Sequence, residues 1–223
     1  MHVARTAFEG NPFVGIFAKT NDRLTLLPKA ATEKFKGVCS EVLKTQVITA
    51  SIANSDLLGM FSAMNSNGIV LPSMAYESEV GSLREAGLNV AVIDERRTAL
   101  GNNILVNDYA CMINPELSAE SAKSISDCLG VEVVKGTIGG YNTVGFAAVV
   151  TNKGILTRTN VTDEEFSSLE EFFKVKGAVG TANMGVSFVG LCMLANSNGA
   201  VVGETTSGFE LSRIDEAFGF IGR

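Results

Sequence analysis

The apolar and polar positions of the chain form a pattern that recurs five times. A glycine that follows an apolar residue marks the start of each repeat, at steps of 44, 42, 44 and 45 residues. Regular self-similarity at this length is typical of folds built from repeated supersecondary units. The five anchor positions are Gly15, Gly59, Gly101, Gly145 and Gly190.

Each anchor glycine is followed by the signature of a β-hairpin. An asparagine comes six or seven residues later, usually within a turn sequence such as Asn-Ser-Asn-Gly, and Asn and Gly tolerate the positive φ that tight turns require. A short apolar run follows each turn, and three of the five runs end at or next to a proline. The turn asparagines are Asn21, Asn65, Asn107, Asn152 and Asn196.

The second half of each repeat changes to helical spacing. Apolar residues recur at intervals of three and four, which predicts an amphipathic helix in every unit. Ser or Thr followed three residues later by Glu predicts capping boxes from Thr162 to Glu165 and from Ser207 to Glu210. The predicted apolar stripes of units two to five are Val80, Leu83 and Gly87; Ala122, Ile125 and Leu129; Phe166, Leu169 and Phe173; Leu211, Ile214 and Phe218.

The fifth unit lacks its last strand, and the N-terminus can supply it. Units one to four each end in a predicted strand, at residues 46–52, 89–93, 131–135 and 178–182, whereas the fifth helix runs nearly to Arg223. Residues 3–8 would complete the fifth sheet and close a ring. We therefore predict an α/β fold, a five-bladed β/α propeller with pseudo-fivefold symmetry, formed by residues 1–223 as a single domain.

Composition restricts the partners and the compartment. A formal net charge of −6 argues against a broad basic surface for nucleic acid, so any such contact should be local. The four cysteines lie far apart, without zinc spacing or a disulfide framework. The first residues lack the apolar core of a signal peptide, and no segment is long enough to span a bilayer. We expect a cytoplasmic monomer with no metal, cofactor, membrane contact or small-molecule substrate.

No catalytic group emerges from the sequence. The predicted ring resembles the pentein architecture, which includes enzymes that modify guanidinium groups with a Cys nucleophile and a His acid or base. This chain has a single histidine, His2, so that alternative is disfavoured. The acidic pairs fit solvent-facing helix positions. Arg96-Arg97 is the densest basic spot, and it fits a solvated loop better than an rRNA contact.

Several segments resemble archaeal members of the translation initiation factor 6 family, a non-enzymatic class with pentein architecture. The resemblance extends over essentially the whole chain. The segments are residues 98–102 (TALGN), 107–110 (NDYA), 114–117 (NPEL), 143–145 (TVG), 150–154 (VTNKG), 180–183 (GTAN) and 195–203 (ANSNGAVVG).

The resemblance implies a function without chemistry. Members of this family bind the large (50S) ribosomal subunit, chiefly a ribosomal protein beside the sarcin-ricin region of the rRNA, and prevent association with the small (30S) subunit. A role in large-subunit biogenesis is also implied. The motif containing Asn102 matches a family motif on the ribosome-facing side, so Asn102 is a candidate contact. Met60 is its counterpart in the second repeat, and a turn asparagine and a core-edge methionine are the alternative interpretations.

Overall fold

The computed structural model of the protein describes residues 2–220, and in this range the chain forms five sheets of three strands. In each sheet the middle strand pairs antiparallel with the first strand of its unit and parallel with a third strand. The bounds are β1 Val3–Thr6, β2 Lys19–Thr20, β3 Leu24–Pro28, β4 Gln46–Ala50, β5 Ala63–Met64, β6 Gly68–Pro72, β7 Asn89–Ile93, β8 Ile104–Val106, β9 Ala110–Ile113, β10 Glu132–Lys135, β11 Ala148–Val150, β12 Gly154–Thr157, β13 Lys176–Val179, β14 Met193–Ala195 and β15 Ala200–Gly203.

Two kinds of helix alternate along the described chain. Five long helices follow the middle strands, and five one-turn helices precede the first strands. The long helices are α2 Glu33–Leu43, α4 Glu77–Glu85, α6 Ala119–Leu129, α8 Asp163–Phe173 and α10 Gly208–Phe218. The short helices are α1 Val14–Phe17, α3 Leu58–Phe61, α5 Leu100–Asn103, α7 Val144–Ala147 and α9 Val189–Cys192. The fold is thus mixed α/β, and no helix in residues 2–220 has the length and apolar composition needed to cross a bilayer.

The N-terminal strand belongs to the sheet of the fifth unit. β1 pairs in parallel with β15, in a register that places Val3 opposite Ala200 and Thr6 opposite Gly203. The predicted partner of residues 3–8 is therefore correct, although the strand ends at Thr6. The pairing satisfies an edge of β15 that would otherwise be exposed.

The anchor glycines lie where the short helices touch. Each is the second residue of its helix, and the helices contact one another in the series α1–α3–α5–α7–α9 and again between α9 and α1. A methyl group at Gly101 would collide with the backbone oxygen of Gly59, and one at Gly15 would collide with that of Gly190. The recurring glycine therefore permits backbone to pack directly against backbone.

The long helices have regular ends and separate neighbouring sheets. Side chains of Thr32, Ser118, Thr162 and Ser207 accept a hydrogen bond from the N3 amide of their helix. Helix α6 contacts β6 and β7 of the second unit as well as β10 of its own, and α10 contacts β12 and β13 of the fourth. Each helix stripe is consequently buried between two units, which produces five apolar clusters in the described chain.

The structure differs from the sequence prediction in several details. The last strand of the fourth unit lies at Lys176–Val179 rather than 178–182, because Ala182 forms an isolated bridge with Val186 across the following loop. Gly87 lies outside α4 with a φ of 85°, so it ends the helix stripe rather than extending it. Helix α10 ends at Phe218, and the last residues of the predicted run to near Arg223 lie outside the described range.

A further difference concerns one of the two capping boxes. Ser207 and Glu210 exchange both hydrogen bonds, as predicted. Thr162 caps α8, but the carboxylate of Glu165 accepts from the amide of Gly139 instead of returning to Thr162. The loop that contains Gly139 therefore donates the hydrogen bond that the backbone amide of Thr162 would donate in a capping box.

Candidate functional site

The units present two different faces. One, here called the turn face, contains the hairpin turns and the C-terminal ends of the long helices, since Asn196 Nδ2 donates to the carbonyl of Leu43 at the end of α2. The other, here called the loop face, contains the connections that enter the short helices and the N-terminal ends of the long helices. Glu79 in the first turn of α4 joins these two parts by accepting from the amides of Ala53 and Asn54 at 2.7 and 3.0 Å.

Glutamates at the third position of long helices hold three of the loops on the loop face. Glu79 and Glu165 bind the loops before α3 and α7, and Glu210 accepts from the amides of Met184 and Gly185 before α9. Asn54 and Met184 have positive φ, so the amides of Ala53 and Asn54 converge on Glu79, and those of Met184 and Gly185 converge on Glu210. The loops are therefore held in one conformation by charged hydrogen bonds.

These contacts perturb the ionisation of the glutamates. Burial acts to raise the pKa of Glu210, but hydrogen bonds from Ser207, Gly185 and Thr181 together outweigh it and lower the pKa to about 2. The pKa of Glu79 is also lowered, because hydrogen bonds from the Tyr76, Asn54 and Ala53 amides and the Ser51 hydroxyl outweigh the effect of burial. Both side chains act as fixed anions of the structure.

The loop face carries most of the exposed large apolar side chains found in residues 2–220. Phe209 in the first turn of α10 is 84% exposed, and Met184 in the loop beside it is 79% exposed. Only Tyr109 on the turn face and Val92 on β7 lie elsewhere among the seven such residues. The loop-face members are Met74, Tyr76, Tyr141, Met184 and Phe209.

The sequence analysis did not identify this apolar set. Phe209 directly precedes Glu210 of the capping box, in a helix whose buried stripe begins at Leu211. The sequence signal for an exposed apolar side chain at this position was that Phe209 lies in the first turn of the helix but outside its apolar stripe. Met184 gave no comparable signal, because it lies in a loop without periodicity.

The two candidate contact residues lie on adjacent short helices. Asn102 in α5 and Met60 in α3 each follow an anchor glycine, each is partly exposed, and their helices pack against each other. The amide of Asn102 donates to the carbonyl of Ala99 in the loop that enters the helix, and Met60 donates in the same way to Leu57. The structure thus brings both residues next to the loop face.

Asn102 and its neighbour Asn103 differ sharply in their contacts. Asn103 is buried, donates to the carbonyl of Ala99 at 2.8 Å and accepts from Asn114 at 2.7 Å. The side chain of Asn102 has no hydrogen-bond partner within the described residues. Asn103 therefore stabilises the motif, whereas the side-chain amide of Asn102 is free to bind a partner.

A belt of buried amides crosses the turn face. Here "Asn belt" denotes Asn21, Asn65, Asn107, Thr151 and Asn196. The Nδ2 of each of the first three donates to the backbone carbonyl of the next, at 2.6, 3.2 and 3.1 Å, and Asn196 donates to Asn21 at 3.0 Å. Thr151 has no side-chain amide that could donate to the carbonyl of Asn196, so the series is interrupted there.

The fourth turn asparagine, Asn152, lies in its hairpin turn as predicted, but Thr151 takes the position equivalent to the other asparagines. Asn152, seven residues after its anchor, lies one residue beyond the belt and bridges two carboxylates. Its Nδ2 donates to Asp22 at 2.7 Å and to Asp108 at 2.6 Å, while Ser197 and Ser66 donate to the same two carboxylates. The polar groups of the turn face thus bind mainly one another.

The titratable groups of the described residues do not form a catalytic arrangement of the guanidino-modifying kind. All four cysteines are buried, and burial raises the pKa of the Cys192 and Cys39 thiols to about 12. A thiol with a raised pKa is a poor source of the thiolate nucleophile. His2 is exposed, and its ring lies 3.0 Å from the carbonyl of Asn198 on the turn face.

Metal-binding and basic clusters are also limited in this range. Within residues 2–220, no group of three or more His, Cys, Asp or Glu side chains is arranged to hold a metal ion. Arg96 and Arg97 are exposed on the loop face, and Arg97 pairs with Glu116. The pairing reduces the local positive charge, which agrees with the interpretation of a solvated loop.

Comparison with known proteins assigns the chain to a family. The eIF-6 family model matches residues 3–217. Translation initiation factor 6 of Pyrococcus abyssi is 46% identical over 227 residues, covering 99% of this chain and 100% of the relative. The proteins of the same name from Pyrococcus horikoshii and Methanocaldococcus jannaschii are 44% and 42% identical, covering 99% and 98% of this chain and 100% and 99% of the relatives. The chain therefore belongs to the eIF-6 family.

Proposed function

We propose that this protein is a translation initiation factor that binds the large ribosomal subunit with its loop face and sterically prevents association with the small subunit. The family assignment and the resemblance of its motifs support this role. The choice of the loop face depends on one contrast. The side-chain amide of Asn102 has no partner in the described residues, whereas the polar groups of the turn face bind one another.

A rigid molecule suits a steric role. The described units form five sheets, the first strand pairs with the fifth sheet, and α9 contacts α1. We infer that the five units form a closed five-bladed propeller and a single domain. A preformed surface loses little conformational entropy when it docks, so a larger part of the contact energy remains available for binding.

The partner's chemistry follows from the face. Five exposed apolar side chains suit a protein surface, and a net charge of −6 suits a basic ribosomal protein better than bare rRNA. We propose a ribosomal protein beside the sarcin-ricin region as the main contact, with local rRNA contact only. The protein would act as a cytoplasmic monomer without catalysis, and a role in large-subunit biogenesis is compatible with the same binding.

The Asn102 contact can be tested by cosedimentation with purified archaeal subunits on sucrose gradients. The wild-type protein should travel with the large subunit and reduce the joined-ribosome peak. Asn102→Lys should leave the urea unfolding midpoint unchanged and weaken binding about tenfold or more, because the lysine adds bulk and positive charge at a close contact. Met60→Lys should act in the same direction.

A matched control separates the faces. Tyr109→Lys on the turn face changes a half-exposed residue to the same cation and should bind like the wild type. Unchanged binding by Asn102→Lys would remove this residue from the interface. Failure of the wild-type protein to sediment with the large subunit would contradict the proposed function itself.

A further inference from the structure

The chain has a lysine in a central cavity that residues of all five units line. The cavity has a volume of about 50 Å³, and its lining includes Gly15, Met64, Ile104, Val150 and Met193. Lys19, the first residue of β2, also lines it and is the only charged residue among those that do. The other units have an uncharged residue four positions after the anchor glycine: Ala63, Leu105, Val149 and Leu194.

The ammonium group of Lys19 has no counterion among the residues that the structure describes. Its side chain makes no hydrogen bond or ion pair with another group in residues 2–220. Thr20 is the one other polar side chain of the lining, and its hydroxyl already lies 2.7 Å from that of Thr25. Burial lowers the pKa of Lys19 to about 8, so the group is still mostly protonated at neutral pH.

The nearest acidic groups along the cavity wall bind elsewhere. A smaller void of about 20 Å³ on the turn-face side shares Thr20 and Met64 with the central cavity and is lined by Asp22 and Asp108. Both carboxylates accept from a serine amide, a serine hydroxyl and Asn152. The cause of the lowered pKa of Lys19 is desolvation alone, so these carboxylates do not compensate its charge.

We propose that the central cavity binds a small monovalent anion, chloride in the cell, next to the ammonium group of Lys19. Lys19 is partly exposed as a residue, but its ammonium group is desolvated by the cavity wall and has no partner within the described residues, which is unfavourable; an adjacent anion would offset this. The volume corresponds to only a few water molecules, which excludes an organic anion of any size. The close backbone packing of the anchor glycines blocks the short-helix side, so the anion would enter from the turn face.

Bromide provides a direct probe, because it replaces chloride and scatters anomalously. Crystals of the full chain grown or soaked in sodium bromide should show an anomalous peak in contact with Lys19 Nζ. The variant Lys19→Leu should lack that peak, and it should fold because two of the equivalent positions, Leu105 and Leu194, already hold leucine. A wild-type cavity without the bromide peak would overturn the proposal.

Urea unfolding gives a second readout in solution. At pH 6.5 and equal ionic strength, chloride at about nine times its Kd should lower the unfolding equilibrium constant about tenfold relative to gluconate, which is too large for the cavity. Lys19→Leu should lose this difference. The control variant Lys153→Leu removes an exposed lysine on the turn face and should keep the difference. The difference should also shrink above pH 8, because the ammonium group then loses its proton. An equal chloride effect in Lys19→Leu would show a general salt effect and contradict a specific site.

Discussion

The two faces of the molecule use the same repeat in different ways. On the turn face, equivalent residues from successive units bind one another, as Asn65 does with Asn107 and Asn107 with Thr151. On the loop face, each glutamate holds a loop that has its own sequence, and apolar side chains such as Phe209 and Met184 remain exposed. Repetition therefore stabilises one face, while departures from repetition give the other a surface suited to a partner.

The largest expected effect is on the turn face, at Asn107. Its Nδ2 donates to the carbonyls of Thr151 and Phe173, and its Oδ1 accepts from the amides of Tyr109 and Ala110. Asn107→Ala should reduce the free energy of unfolding by about 4 kcal/mol, since four buried hydrogen bonds contribute about 1 kcal/mol each. Urea unfolding measures this loss.

Asn102→Ala is the matched control for that measurement. Its side chain has no partner in the described residues, so its unfolding free energy should stay within about 0.5 kcal/mol of wild type. Similar losses of unfolding free energy in the two variants would contradict the distinction between the turn face, whose polar groups bind one another, and the loop face.

A smaller effect is expected on the loop face as pH falls. The pKa of Glu210 is lowered from 4.5 to about 2 in the folded protein, so its contribution to stability is complete above about pH 4.5. This contribution is lost as pH falls from there to 2, and the shift corresponds to about 3 kcal/mol. Urea unfolding of wild type and Glu210→Gln across this range should show the wild-type advantage disappearing at low pH. A constant difference would mean that the carboxylate does not hold the Met184 loop.

The smallest effect should come from repairing the Asn belt. Thr151→Asn would restore an amide that can donate to the carbonyl of Asn196, as Asn107 does to Thr151. We expect the added hydrogen bond to raise the free energy of unfolding by about 1 kcal/mol. The bond from the Gly154 amide to the Thr151 hydroxyl should be kept, because the asparagine oxygen can accept it instead. A destabilised variant would indicate that the threonine is required at this junction.

The sequence predicted the repeated elements well, because their signals are local. Helix stripes such as Ile125 and Leu129 are fully buried as expected, and the hairpin turns follow their asparagines. The spacing of the anchor glycines predicted five units, but it did not reveal the short helices. Four residues are too few to show a helical period, and the packing that requires the glycine comes from another unit.

The parts that could not be predicted depend on contacts between distant residues. The side chain of Asn196 donates to the carbonyl of Asn21, 175 positions away, and the carboxylate of Glu165 accepts from the amide of Gly139 rather than from that of Thr162. At the candidate site, Asn102 and Asn103 are identical in type, and the positions of Asn114 and of the Ala99 carbonyl explain why Asn103 is buried and bonded. A single sequence contains no signal for which of two adjacent asparagines meets such a partner.

The pairing of β1 with β15 also has a consequence for protein synthesis. Residues 3–6 are synthesised long before their partners at 200–203, with almost two hundred residues between them. At about 5 to 20 residues per second, the opening segment waits roughly 10 to 40 s before its partner exists. A chain released before residues 200–203 are made lacks that partner, so β1 stays unpaired until β15 has been translated.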